Sequence, residues 1–280
     1  MKVPARKMQV GDMEIVYDVT DFTEPWRTTE PETILLHHGY LRNMEFWRGW
    51  LPSLARNYRI VRFNSRGCGG TTAPPPGAPY KVEQLVGDAL GLMDKLGIER
   101  FHWVSEYSGG IIGLYAALSH PDRFLSFATC NTPVKVTKEV AQSYNVGESD
   151  HATAIEKLGV GGWCRKTLGF RIDLDKASNE LQDWYVAETD KVPKHVAIAH
   201  HLMVCEGDLW SRLAEIKVPM LMIVGDQSSL ARKEQRERVL AEVPNLKVVV
   251  FEGYVHGVSV TAPERCVAEL KVFLDAQPKR

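Results

Sequence analysis

The chain has 280 residues, with 34 Lys and Arg against 35 Asp and Glu, and 44% of them are hydrophobic, enough to bury one large domain or a domain with an insertion. A net charge of −1 gives no electrostatic reason to bind nucleic acid or an anionic membrane, and no apolar run approaches the ~20 residues of a membrane span. The five cysteines (Cys68, Cys130, Cys164, Cys205, Cys266) form no CxxC pair, so free thiols in a reducing cytoplasm are expected, not a zinc ribbon or disulfide framework.

The first residues mix polar and apolar too quickly for a signal peptide, and residues 13–19 alternate as an antiparallel strand would. Strand-length apolar runs then follow at 33–36, 58–63, 101–104, 124–128, 220–224 and 247–251, each closed by turn residues. Short continuous apolar runs suit strands buried on both faces, as a parallel sheet requires. Helical spacing fills 82–96 (stopped by Gly97), 111–118, 232–243 and 263–274, the last opened by Pro263. This alternation predicts an α/β fold with a mostly parallel central sheet and helices on both faces. Residues 134–215 depart from it: they are amphipathic and helical, with Trp163, Trp184 and Trp210. They are expected to form a cap inserted into a core of 1–133 and 216–280, over the sheet edge where binding crevices form.

Three places could carry chemistry. His37-His38-Gly39-Tyr40 closes the strand ILL, where a tight turn can aim the Tyr40 N–H at a developing oxyanion. Ser105-Glu106-Tyr107-Ser108-Gly109-Gly110 joins the strand FHWV to the helix IIGLYAAL with the pattern of a nucleophile elbow. The elbow is so sharp that positions two before and two after its centre must be small. Ser105 and Gly109 meet that condition around Tyr107. Centring on Ser108 puts Glu106 where a small residue is needed, and centring on Ser105 gives bulky flanks. Sterics therefore put a tyrosine at the nucleophile position. The third place is Gly253-Tyr254-Val255-His256-Gly257, a loop after the last strand from which His256 can reach the elbow.

With these motifs in this order the chain resembles an α/β-hydrolase, close in pattern to the enol-lactonase and esterase group typified by 3-oxoadipate enol-lactonase. The matching stretches are LLHHGYLRNMEFW, NYRIVRFNSRGCGGTTAP, VSEYSGGIIGLYAALSHPDRF, VPMLMIVGDQ and FEGYVHGVSVTAPE. The resemblance implies an oxyanion hole from the Tyr40 and Ser108 backbone N–H groups and His256 as base. No histidine–carboxylate spacing suggests a metal, no GxGxxG or P-loop opens a helix after a strand, and no cofactor is expected. The chain departs from the family pattern at the nucleophile, which is Tyr107. It departs again at the acid, whose usual place three residues past Gly225 holds Ser228. Asp226 could serve if the loop path differs, and the other acid position, near Asn131, has no carboxylate.

The expected activity is hydrolysis of a small ester, lactone or carbon–carbon ketone bond. Tyr107 would act as a covalent nucleophile, or as a hydrogen-bond donor while His256 activates water. Two alternatives stay open: a cofactor-free lyase, decarboxylase or oxygenase in the same pocket, and a ligand-binding protein without turnover. His38, Trp163, Trp184 and Met203 are expected to line the pocket, with His200 and His201 near them. Trp47 and Trp103 are assigned to the core, Glu106 to a structural role, and Arg66 to pairing with a buried carboxylate. The partner expected is a small molecule, largely uncharged or modestly anionic, with a homo-oligomer left open.

Overall fold

A computed structural model of the protein describes residues 4–230 and 232–278, so the ends of the expected core segments and residue 231 lie outside the described residues. Eight strands form one sheet: β1 (Arg6–Val10), β2 (Met13–Thr20), β3 (Thr33–His37), β4 (Arg59–Phe63), β5 (Phe101–Glu106), β6 (Phe124–Cys130), β7 (Met220–Gly225) and β8 (Leu246–Phe251). Their order is β1-β2-β4-β3-β5-β6-β7-β8. β1 and β2 are antiparallel to their neighbours, and the strands from β4 to β8 run parallel. Every residue of β3, β5 and β7 is buried, whereas the edge strand β8 is mostly part-exposed. The continuous apolar runs thus mark the sheet's interior. The strand β1 was not anticipated: its residues RKMQV carry charge and little alternation because it is an exposed edge.

The helices are α1 (Leu51–Leu54), α2 (Val82–Lys95), α3 (Tyr107–Ser119), α4 (Lys138–Ser143), α5 (His151–Lys166), α6 (Leu168–Arg171), α7 (Asn179–Asp190), α8 (Lys194–Glu206), α9 (Lys233–Glu242), α10 (Val258–Thr261) and α11 (Pro263–Asp275). The amphipathic α2 buries Leu85, Val86, Ala89, Leu90, Leu92 and Met93, the three-and-four spacing read from the sequence. Nearly all of α3 is buried. Trp47 and Trp103 are buried in the core, Trp47 on the 3₁₀ turn Met44–Trp50 and Trp103 on β5. Arg66 holds Asp88 through two 2.7 Å hydrogen bonds.

Between β6 and β7 the regular structure is helical apart from one isolated bridge, Lys135 to Asp208. That bridge closes the neck of the helical segment, with Lys135 Nζ 2.6 Å from Asp208 and the Leu209 N–H donating to Val134 O. The segment packs on loops that leave the strands' C-terminal ends. Tyr40 donates to Ala197 O (2.8 Å), Arg42 to the Tyr185 hydroxyl (2.9 Å), and Gly257 lies against Arg171 and Ile172.

Candidate active site

The elbow is built by a one-residue change of direction. Glu106 ends β5 in extended conformation (φ −140°), and Tyr107 opens α3 at φ +41°. A non-glycine residue in that region costs roughly 1–3 kcal/mol and persists only where its surroundings impose it. They do so by close packing: a Cβ at Gly109 would lie 2.5 Å from His38 O, so no larger residue fits. Ser108 Oγ is buried without a partner, and the nearest acceptor for Ser105 Oγ is Ala128 O (3.4 Å). The only elbow side chain opening into the cavity is Tyr107.

That cavity encloses about 10 Å³, room for about one water. Gly39, Tyr40, Arg42, Tyr107 and His256 line it on one side, and Tyr144, Arg171, Tyr185 and His201 from the helical segment between β6 and β7, termed the cap. Among the described residues no acceptor takes the backbone N–H of Tyr40 or Ser108. Ser108 N–H is free because the first four N–H groups of a helix have no intrahelical partner.

The His256 ring packs edge-on against Tyr107, with ring centroids 5.1 Å apart, and no hydrogen bond joins the Tyr107 hydroxyl to it. Asn131, at φ +47° past β6, ties the end of β7 to the His256 loop: its amide donates to His256 O and accepts from Gly225 N (3.0 Å). Asn131 thus fixes the His256 backbone and supplies no acid to the ring. The expectation that Asp226 orients His256 is corrected. Its carboxylate accepts from the Gly253 N–H (2.8 Å) and from Gln227 (3.1 Å), stapling the loop from outside. His256 Nδ1 and Ser228 Oγ are both buried without partners.

Burial, then the charges of Arg42 and Arg171, hold the His256 pKa well below 6.5, so the ring is neutral at pH 7. Burial likewise pushes the Tyr107 phenol well above 10, with Tyr144, Cys205 and Tyr40 adding to the shift. A phenol so placed donates a hydrogen bond and resists becoming a phenolate.

Two buried arginines reach the cavity. Arg42 pairs with Glu106, which also accepts from Ser259 Oγ (2.5 Å) and the Gly39 N–H (3.1 Å). Glu106 is therefore structural: it is the counter-ion of Arg42 and an anchor for the oxyanion turn. Arg171 makes one hydrogen bond, from Nε to Thr167 Oγ1 (3.0 Å), and its Nη2 is buried with no acceptor.

Of the expected pocket residues, His38 is turned away. It accepts from the Ser65 N–H at Nε2 and donates from Nδ1 to Gly39 O, both at 2.9 Å, which fixes its tautomer and holds the turn. Trp184 lines a different cavity, with Phe46 and Leu181, and Met203 packs in the core. Trp163 lies beneath Arg171 rather than in the lining, its ring centroid 4.3 Å from the guanidinium carbon. Arg42, Tyr144, Arg171 and Tyr185 escaped the sequence reading. The one local signal for Arg171 is a charge inside the apolar run LGFRI.

A family model described as the alpha/beta hydrolase fold matches residues 32–150. A protein of Caulobacter segnis described as a candidate carbamate hydrolase, RutD, is 25% identical over 256 residues, covering 89% of this chain and 94% of its own. A hydrolase of Pseudomonas aeruginosa PA01 superposes with a TM-score of 0.84 at 23% identity, covering 97% of this chain and 98% of its own. The enol-lactonase of Burkholderia xenovorans LB400 superposes with a TM-score of 0.83 at 24% identity, covering 96% and 100%.

Proposed function

We propose that this chain, which carries the α/β-hydrolase fold, hydrolyses small carbonyl compounds (esters, lactones or carbon–carbon ketone bonds) in this pocket through His256 and Tyr107. One observation carries the reading: the Tyr40 and Ser108 N–H groups lie free beside the Tyr107 elbow, with His256 packed on that tyrosine. Two fixed N–H donors stabilise the oxyanion that forms when a carbonyl carbon becomes tetrahedral. Carbamates and enol-lactones, named for two of the similar proteins, share that carbonyl.

The neutral Tyr107 phenol favours water as the nucleophile. In this route water oxygen adds to the carbonyl carbon while neutral His256 takes its proton. The oxyanion rests on the two N–H groups and the Tyr107 hydroxyl donates a hydrogen bond to it or to the leaving group. Collapse of the tetrahedral intermediate breaks the bond to the leaving group, which takes the proton back from His256. A second reading, ligand binding without turnover, is favoured by the missing carboxylate at His256 Nδ1.

Kinetics with p-nitrophenyl acetate and intact-mass analysis test both. Turnover without an adduct on Tyr107 is expected. His256→Ala should lower the rate by roughly 10²–10⁴-fold, the usual worth of a general base. Tyr107→Phe should lower it by about 10-fold and leave turnover measurable. A persistent acyl group on Tyr107 overturns the water route. Absent turnover on any ester or lactone, with a ligand recovered unchanged, leaves the binding reading.

A further inference from the structure

Arg171 is the last residue of α6, buried at 5% exposure, and its guanidinium makes a single hydrogen bond. Its Nη2 has no acceptor, and among the described residues no carboxylate pairs with it. A buried charge without a counter-ion is strongly unfavourable. Aromatic rings compensate it only in part. The guanidinium carbon lies 4.3 Å from the Trp163 ring centroid, 5.7 Å from that of Tyr40 and 5.8 Å from that of Tyr144. Arg42 is already neutralised by Glu106, so the lining carries one uncompensated positive charge and no acid of its own.

The placement is also fixed. A Cβ at Gly257 would lie 2.4 Å from Arg171 O and 2.6 Å from an Ile172 methyl, so the cap backbone at Arg171 is seated directly on the residue after His256. Tyr40 links the two ends of the cavity: its ring lies under Arg171 and 6.5 Å from that of Tyr107, centroid to centroid. Tyr144 lines the same wall.

We propose that Arg171 receives a carboxylate of the ligand, so that the pocket takes short carbonyl compounds bearing a carboxylate a few bonds from the carbonyl. The chemistry favours a carboxylate over a phosphate. A planar guanidinium offers its paired N–H groups in the geometry of a planar carboxylate. That the ligand is a substrate rests on the hydrolase reading; the anion subsite does not.

The test is calorimetric titration of the full-length chain with succinate, its neutral analogue succinamide, and inorganic phosphate. Wild type should bind succinate and fail to bind succinamide. Arg171→Met should weaken succinate at least 30-fold, and Arg171→Lys should recover part of that loss. The melting temperature of Arg171→Met should equal or exceed that of wild type, because the substitution removes an uncompensated charge. Equal binding of succinate and succinamide overturns the proposal. So does phosphate binding tenfold tighter than succinate, unchanged affinity in Arg171→Met, or no succinate binding at tens of millimolar. Lost affinity with a lower melting temperature assigns Arg171 to packing and overturns it as well. Succinate binding without ester turnover upholds the subsite while the hydrolase reading fails. Ester turnover without succinate binding does the reverse.

Discussion

Arg42, on the loop after β3, and Arg171, on the cap helix α6, bring guanidinium groups to one pocket under opposite terms. Arg42 is closed into a network with Glu106, Tyr185 and Ser259, and Glu106 in turn holds the Gly39 turn. The same closure recurs through the core. Arg62 pairs with Asp18, Arg66 with Asp88, and both ring nitrogens of His38 are bonded. On the cap side Arg171 Nη2, both nitrogens of His200 and His151 Nδ1 are buried without partners. A buried polar group left open costs about 1–3 kcal/mol, more if charged; core atoms such as Thr20 Oγ1 and Trp103 Nε1 are open as well, so the contrast rests on the charge of Arg171.

The largest effect expected is acid unfolding. Burial is the leading cause that lowers the pKa of His38 and His201 to about 4, of His151 and His200 to about 3, and of His37 and His256 well below 6.5. Folded, these rings stay neutral; unfolded, each takes a proton near pH 6.5. The unfolded state therefore binds more protons below pH 6.5, and stability falls as pH falls. Each ring contributes up to roughly 1.4 kcal/mol per pH unit in that window. Melting temperature against pH should drop steeply between pH 6.5 and 4.5, with several protons taken up on unfolding. A flat profile over that range breaks the claim that the open histidines are sealed from water.

Next in size is Glu106→Gln, which leaves Arg42 in the condition of Arg171 without the stacked Trp163. Denaturant unfolding should show a loss of about 3–5 kcal/mol, the cost of breaking a buried ion pair from one side. A loss below 1 kcal/mol would mean that the two arginines do not differ as described.

The core was legible because its constraints are local. Sheet burial writes itself as apolar runs, and the elbow at 105–109 is recognisable because only small residues fit beside the turn. The cap pocket was not legible for the converse reason. Its lining comes from Arg171 on α6, Tyr185 on α7, His201 on α8 and Tyr144 just past α4, and each sits in an amphipathic sequence that a surface helix could carry equally well. Trp184 shows the same problem from the other side: its aromatic character suggested the pocket, but it faces a separate cavity. Asp226 misled because it is the only carboxylate beside the Gly225 turn, and only coordinates reveal that the Gly253 N–H has claimed it.

The smallest effect expected is also the one that completes an open group. Ser228 Oγ and His256 Nδ1 are both buried and unpartnered. Their loops are joined, with the Gln227 N–H donating to Tyr254 O at 3.0 Å and Gly225 packed on the carbonyls of Tyr254 and Val255. Ser228→Asp would bring a carboxylate to this buried junction. An anion facing Nδ1 favours the imidazolium and opposes the lowering that burial, Arg42 and Arg171 impose. The base form of His256 is the neutral ring, so a raised pKa moves the acid limb of the pH–rate profile upward. Above that limb the more basic ring removes protons faster. An upward shift of about one pH unit and a gain of up to about 10-fold in kcat at pH 8 are expected, with KM little changed. If the acid limb stays in place while the protein remains folded, position 228 does not face His256, and the missing acid is no open place in the framework.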